Sequence, residues 1–273
     1  MGRLQWETNL DSLCRRLEEY AGANLLTVPS PLSRMAKGLS DSLYLAHSTT
    51  EARFGAICAS GHLTSADLQA AHRGKPLSPT RTEVVMGTSN SVFFYVAPFR
   101  YPNTGCGLLF AATLESAHRN ESVATPFDSG GLVNRLTRPR PTEPAREFLA
   151  RHEVPVPEHR SYLGLSMDVL FDKPDDYMRG ADPRWPGPIG LTGGDQRRWT
   201  HEVRIPHRVF VRGRHLQAVF APRAWVAADS RIEALFEWCA GEGVDRIVFD
   251  TPTSSDFAAL SRECLAYIRR TLY

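Results

Sequence analysis

Apolar positions recur along this chain at two spacings, and the switches between them lay out its elements. Leu10, Leu13, Leu17 and Tyr20 repeat at helical spacing with Asp11, Arg15, Arg16 and Glu18 between them, which predicts an amphipathic helix over 10–20. Ala21 to Ser42, punctuated by Pro29-Ser30-Pro31, reads as loop. Ser42 to His47 is a short apolar strand that ends on a histidine. Glu51 to Ser60 follows as a helix that Thr50 or Ser48 can cap, and Gly61 stands where a C′ glycine ends a helix. A second helix is expected over 65–72, loop over 74–82, and a strand fragment over 84–86. Asn90 to Arg100 is the most strand-like run, rich in β-branched and aromatic residues and closed by Pro98. Leu108 to Leu114 reads as a strand or as a buried helical turn.

The pattern weakens from Ser116 to Tyr162, where Pro139 and Pro141 break any helix before Thr142. A helix is expected over 143–152 and extended chain over 155–157; the Pro-, Gly- and Asp-rich run 172–195 reads as mostly loop. Trp199 to Pro206 alternates as a strand does, and 207–211 continues it past a bend. Further strands are expected over 216–220 and 224–226. A helix follows over 230–240, capped by Asp229 or Ser230 and stopped near Gly241. A strand over 244–250 and a helix over 254–271 complete the chain. The class is α+β, many short strands with helices between them. The expected organisation is a single domain over 1–273, with an N-terminal helical extension (1–40) and a loop-rich insertion (116–195).

Composition narrows this only a little. With 273 residues and 42% hydrophobic content the chain can bury a substantial core. A net charge of +2 gives no global field that marks a nucleic-acid or membrane binder. The basic residues are 29 arginines against 3 lysines. Arginine suits bidentate phosphate contacts, but a genome-wide codon bias gives the same excess. Five scattered cysteines without a CxxC pair fit reduced thiols and a cytoplasmic protein. The N-terminus has no signal-peptide apolar core, and no apolar run approaches the ~18 residues of a membrane span.

Several chemistries lack their motifs. There is no P-loop and no strand-linked GxGxxG, and Asp128-Ser129-Gly130-Gly131 is not a nucleophile elbow. His201, His207 and His215 lack companions at metal-ligand spacing, so no metal site is expected. Asp175-Asp176 sits in a turn-rich stretch and reads as solvated.

Three pieces remain: Tyr44-Leu45-Ala46-His47-Ser48-Thr49 with the helix ending Ser60-Gly61-His62-Leu63; Ser91-Val92-Phe93-Phe94-Tyr95-Val96-Ala97-Pro98; and Thr200-His201-Glu202-Val203-Arg204-Ile205-Pro206. In this order they resemble the NAD-dependent ADP-ribosyltransferase fold, and within it the DarT-like toxins, which attach ADP-ribose to a base of single-stranded DNA. Three positions depart from the family pattern: Phe93 stands where proline is usual, Arg100 lies one residue further from Pro98, and Arg204 interrupts an apolar triplet. The resemblance implies a split mixed β-sheet core with flanking helices, and NAD as co-substrate. It implies Glu202 as the catalytic carboxylate, His47 and Thr49 on the adenosine-side ribose, and Phe94 or Tyr95 on nicotinamide. Alternate strand residues face opposite ways, so only one of that pair can serve and the other is core. It further implies an arginine, Arg81 in preference to Arg73, at the pyrophosphate or the target.

The physical logic of Glu202 stands beside the resemblance. Cleaving the nicotinamide–ribose bond creates an oxocarbenium-like sugar, and one rigid carboxylate beside it can hold the 2′-hydroxyl and offset the charge. A surface glutamate on an edge strand is the plain alternative. Arginines over 135–160 and 197–214 would form a groove for single-stranded DNA or RNA, with Trp185 and Trp199 stacking on bases. A toxin would also imply an antitoxin protein as partner. Two other readings stay open: a protein-directed transferase or NAD glycohydrolase, and a non-catalytic nucleic-acid-binding module.

Overall fold

The computed structural model describes residues 15, 17–18, 34–96, 98–99, 104–118, 120–130, 144–184, 196–250 and 257–272. The predicted first helix falls mostly outside them. Its described residues Arg15, Leu17 and Glu18 are helical, and Leu17 is buried.

Helix α1 (Arg34–Ser42) replaces the end of the expected loop. Its glycine and two serines hide the pattern, yet Ala36, Leu39 and Ser40 form one buried edge, so tertiary packing overrides weak propensity. Strand β1 (Leu45–Thr49) and helix α2 (Glu51–Ser60) follow as expected. Thr50 is the N-cap residue, and Gly61 closes the helix at φ 70°, its amide donating to the Ile57 carbonyl. After β2 (His62–Thr64) and α3 (Ala66–His72), the fragment expected as strand over 84–86 belongs instead to a short helix, α4 (Thr82–Val85). One turn of backbone hydrogen bonds closes it, with the Met86 amide donating to the Thr82 carbonyl.

Next come β3 (Ser91–Val96), β4 (Cys106–Phe110) and α5 (Thr113–Ala117), so the 108–114 run is a strand that passes into a helical turn. The weak middle holds β5 (Val123–Thr125), α6 (Ala145–His152), β6 (Val154–Pro155) and α7 (Val156–Leu170). Pro157 does not extend the chain there; it lies in the first turn of α7, where a missing N–H costs nothing. Within the expected 172–195 loop, α8 (Pro174–Arg179) begins with the Lys173 amide donating to the Asp176 carboxylate and ends at Gly180, φ 71°.

The C-terminal third holds β7 (Glu202–Pro206), β8 (Arg208–Phe210), β9 (Leu216–Pro222), α9 (Arg223–Ala228), α10 (Ser230–Glu242), β10 (Asp245–Phe249) and α11 (Phe257–Leu272). The strand expected over 224–226 is helix α9, begun by Pro222 as N-cap and burying Trp225. Asp229 caps α10 through its side chain, and the helix stops at Gly243 rather than Gly241.

Eight strands form one mixed sheet in the order β10-β9-β4-β1-β3-β7-β5-β6, with β2 and β8 paired apart from it. Among the described strands the β9–β10 pair alone is parallel. His207, at φ 64°, turns the chain between β7 and β8, so the segment past the bend leaves the main sheet. Inside the core, Phe94 meets Phe110 edge-on and Phe99 meets Phe220 likewise. Gly107 admits this packing because a Cβ there would overlap the Phe99 ring.

Candidate active site

The sheet register does most of the positioning. Tyr95 on β3 lies directly across from Glu202 on β7, and Glu202 lies across from Thr125 on β5. Ala46 on β1 faces Tyr95 from the other side. Side chains paired across strands share a face, so Tyr95, Glu202 and Thr125 form one row, with Arg204 two residues along β7 on the same face. His47 and Phe94 fall on the opposite face, where their rings lie 5.8 Å apart. The sheet therefore divides the expected set. Tyr95 is the aromatic that accompanies Glu202. Phe94 is core, packed between His47 and Phe110.

Glu202 is 1% exposed, far from a surface glutamate on an edge strand. Burial, then the charge of nearby Asp128, push its carboxyl up to about 8, against the opposing pull of Arg204 and Ser129. Arg204 Nε stands 3.8 Å from Glu202 Oε1, while its Nη2 donates to Glu153 Oε1 at 2.5 Å. Among the described residues Glu202 Oε1, Arg204 Nε and Ser129 Oγ are all buried without a hydrogen-bond partner. Leaving polar atoms buried and unpaired costs roughly 1–3 kcal/mol each. An unpartnered carboxylate oxygen with two unpartnered polar atoms beside it suits a ligand that brings hydroxyl groups.

Asp128, which sequence reasoning passed over, completes this side. Its Oδ2 accepts the Tyr95 hydroxyl at 2.6 Å and lies 3.6 Å from Arg197 Nη1. Its Oδ1 accepts the Gly130 amide at 2.8 Å. Burial, with Asp128 and Glu202 beside it, drives the Tyr95 phenol well above its ordinary value, so the ring keeps its proton as a donor. The only sequence signal for Asp128 was the Asp-Ser-Gly-Gly run, read there for what it is not.

On the other face, His47 Nδ1 lies 2.9 Å from the Phe93 carbonyl. Burial lowers the imidazole pKa, the Phe93 contact works against this, and Arg53 adds to it. The imidazole is thus neutral, with Nδ1–H donating. Thr49 is buried, and its carbonyl accepts from the Gly105 amide and the Cys106 thiol. Arg81 pairs with Glu83 at 2.9 and 3.1 Å on a part-exposed surface, and Arg73 is an exposed helix-end residue. Burial of Glu83 disfavours its charge, but Arg81 and then Arg53 hold it below its ordinary range. Arg53 thus acts on both His47 and Glu83. The Thr82 methyl lies 3.9 Å from where a Gly130 Cβ would stand, so α4 abuts the loop of Asp128.

Of the base-stacking groove expected from the arginines over 135–160 and 197–214, only part can be followed. Trp199 is buried and Trp185 lies outside the described residues. Arg160 and Arg204 turn to carboxylates, and Arg197 lies against Asp128. Arg135, Arg138 and Arg140 lie outside the described residues. Within the described residues no three His, Cys, Asp or Glu side chains gather as a metal site would. Cys58, Cys106, Cys239 and Cys264 are free and buried, and no described helix is long and apolar enough to cross a membrane.

No family model and no curated protein matches the chain. Solved structures of DarT from Thermus sp. 2.9 are similar to it. The complex with NAD+ has a TM-score of 0.39 and 12% identity, over 82% of this chain and 98% of that one. The complex with carba-NAD+ gives 0.38 and 11%, over 76% and 95%. The complex with ADP-ribosylated ssDNA gives 0.39 and 13%, over 76% and 94%. Superpositions this loose leave the assignment to the chain's own residues.

Proposed function

We propose that this chain is an NAD-dependent mono-ADP-ribosyltransferase whose acceptor is a base of a single-stranded nucleic acid, acting as a toxin restrained by an antitoxin partner. The observation that carries the transferase reading is the buried Glu202, whose Oε1 and two neighbouring atoms, Arg204 Nε and Ser129 Oγ, lack hydrogen-bond partners, with the Tyr95 ring on the neighbouring strand. A ribose supplies the hydroxyls those atoms lack, and Tyr95 supplies a face for the nicotinamide ring. The acceptor and the toxin role rest on the order of the three sequence motifs.

In this reading the bond between nicotinamide nitrogen and ribose C1″ breaks, and its electron pair leaves with neutral nicotinamide. The ribose carries the positive charge until a nucleophilic atom of the base attacks C1″ and loses its proton. Ionised Glu202 accepts the 2″-hydroxyl and opposes that charge. The empty site favours the neutral carboxyl. The cationic nicotinamide ring favours the anion, so substrate itself tips Glu202 into its working form. Arg81, beside the Asp128 loop, serves the pyrophosphate. His47 and Thr49, assigned to the adenosine end by the resemblance, lie on the face of the sheet opposite Glu202.

The test is release of nicotinamide from NAD and transfer of label to single-stranded DNA, RNA or protein. Glu202→Gln keeps the shape and removes the charge, and it should lower kcat by at least about 100-fold, as loss of one electrostatic stabiliser does. Label on protein alone, or free ADP-ribose alone, would replace the acceptor. Unchanged turnover in Glu202→Gln would remove the transferase assignment of this site.

A further inference from the structure

The Asp128 loop is tied down at every step. The Thr125 hydroxyl, across from Glu202, donates to the Phe127 carbonyl at 2.9 Å. The Asp128 amide donates to the Arg197 carbonyl at 2.8 Å, which joins the loop to the turn that leads into β7. The Asp128 carboxylate takes the Tyr95 hydroxyl on one oxygen and the Gly130 amide on the other. One loop thus touches β3, β5 and the approach to β7, the three strands that bear the row Tyr95–Glu202–Thr125.

We propose that Asp128 is a positioning residue of this site, fixing the Tyr95 ring by hydrogen bond and governing the Glu202 proton by charge. The inference rests on the transferase reading and deepens it. Two carboxylates buried in one field are costly as a double anion, so the Asp128 charge favours the protonated form of Glu202. The groups facing Glu202 are Arg204 on its own strand, Tyr95 on β3, and Asp128 and Ser129 on the loop after β5. Arg197, on the turn before β7, acts on Asp128. Glu153, at the end of α6, draws Arg204 away from Glu202 by its shorter contact. Burial does most to keep the Glu202 carboxyl neutral, and the charge of Asp128 adds to it. The Tyr95 ring, held by the same Asp128 side chain, is where a substrate cation would lie.

The test uses the whole chain and two variants. Asp128→Asn removes the charge and keeps one acceptor, enough for Tyr95 at the expense of the Gly130 amide; Asp128→Ala removes the charge and both acceptors. Two readouts are taken across pH: kcat/KM for nicotinamide release, and the isotope-edited infrared band of the Glu202 carboxyl without NAD, assigned with Glu202→Gln. Asp128→Asn should move the rising limb of the rate profile and the infrared titration together, by about one pH unit toward acid, a roughly tenfold change in proton affinity. Asp128→Ala should show the same shift, with a further rise in KM as the Tyr95 ring loses its anchor. An infrared titration in Asp128→Asn that coincides with wild type overturns the proposal. If wild type releases no nicotinamide, the transferase reading fails. The infrared titration still decides whether Asp128 governs the Glu202 proton, and the isosteric Asn variant keeps it decisive should Asp128→Ala not fold.

Discussion

Glu202→Gln should make the protein more stable in mildly alkaline solution, even as it removes activity. The Glu202 carboxyl stands at about 8 in the folded chain against an ordinary value of 4.5. Below the ordinary value both folded and unfolded forms carry the proton, and the group leaves stability unchanged. As pH rises from there the unfolded form ionises while the folded form stays neutral, so stability falls by about 1.4 kcal/mol per pH unit. The loss levels off once the folded carboxyl also ionises, at roughly 5 kcal/mol in all. That figure is an upper bound, because movement of the Asp128 loop or entry of water would relieve part of it. The assay is urea unfolding of wild type and Glu202→Gln between pH 5 and pH 8.5, with slope and midpoint fitted at each pH. The two curves should diverge with rising pH, wild type losing several kcal/mol more than the variant. Parallel curves would refute the reasoning, since they would mean that Glu202 is as easily ionised when folded as in water.

Other outcomes follow from contacts elsewhere. Arg160 makes a paired contact with Glu115 at 2.9 and 2.6 Å and donates to the Ser40 and Leu43 carbonyls at 2.8 Å each. Arg160→Met should cost about 3–5 kcal/mol in urea unfolding by orphaning a buried carboxylate, and Glu115→Gln added to it should recover part of that. Gly107→Ala should destabilise by roughly 1–3 kcal/mol, because its Cβ displaces the Phe99 ring, and Phe99→Leu in the same chain should soften the effect. His47→Ala should raise KM for NAD several-fold with little change in kcat if His47 meets the adenosine end; an unchanged KM would leave it only as the partner of the Phe93 carbonyl.

The strands of this site were legible because their pattern is local. Val92, Phe94 and Val96 alternate with Phe93 and Tyr95, and the run from Glu202 to Pro206 alternates in the same way. Which aromatic meets Glu202 was not legible. It depends on the register of β3 against β7, and a shift of one residue would exchange Tyr95 for Phe94. Asp128 was invisible for a related reason: it lies 33 residues from Tyr95 in a Pro- and Gly-containing loop, and only the fold brings them together. Helices α1, α4, α7, α8 and α9 were missed where glycine, serine or proline blurs the apolar spacing and neighbours decide the structure. Ala224 to Val226 has strand-like composition, yet Pro222 fixes the backbone dihedral that starts a helix. Of the arginines read as a groove, Arg160, Arg197 and Arg204 turn to carboxylates, a role that composition cannot separate from phosphate binding.

The insertion of β7 between β3 and β5 has a consequence for how the chain is made. Ribosomes add roughly 5–20 residues per second, so β3 and β5 emerge seconds before Glu202 does. Until then each has an unpaired edge, and Tyr95 has no carboxylate across from it. A nascent or truncated chain that ends before β7 would be catalytically silent and prone to stick to other strands. In the transferase reading, that delay withholds activity from incomplete products until most of the chain has been synthesised.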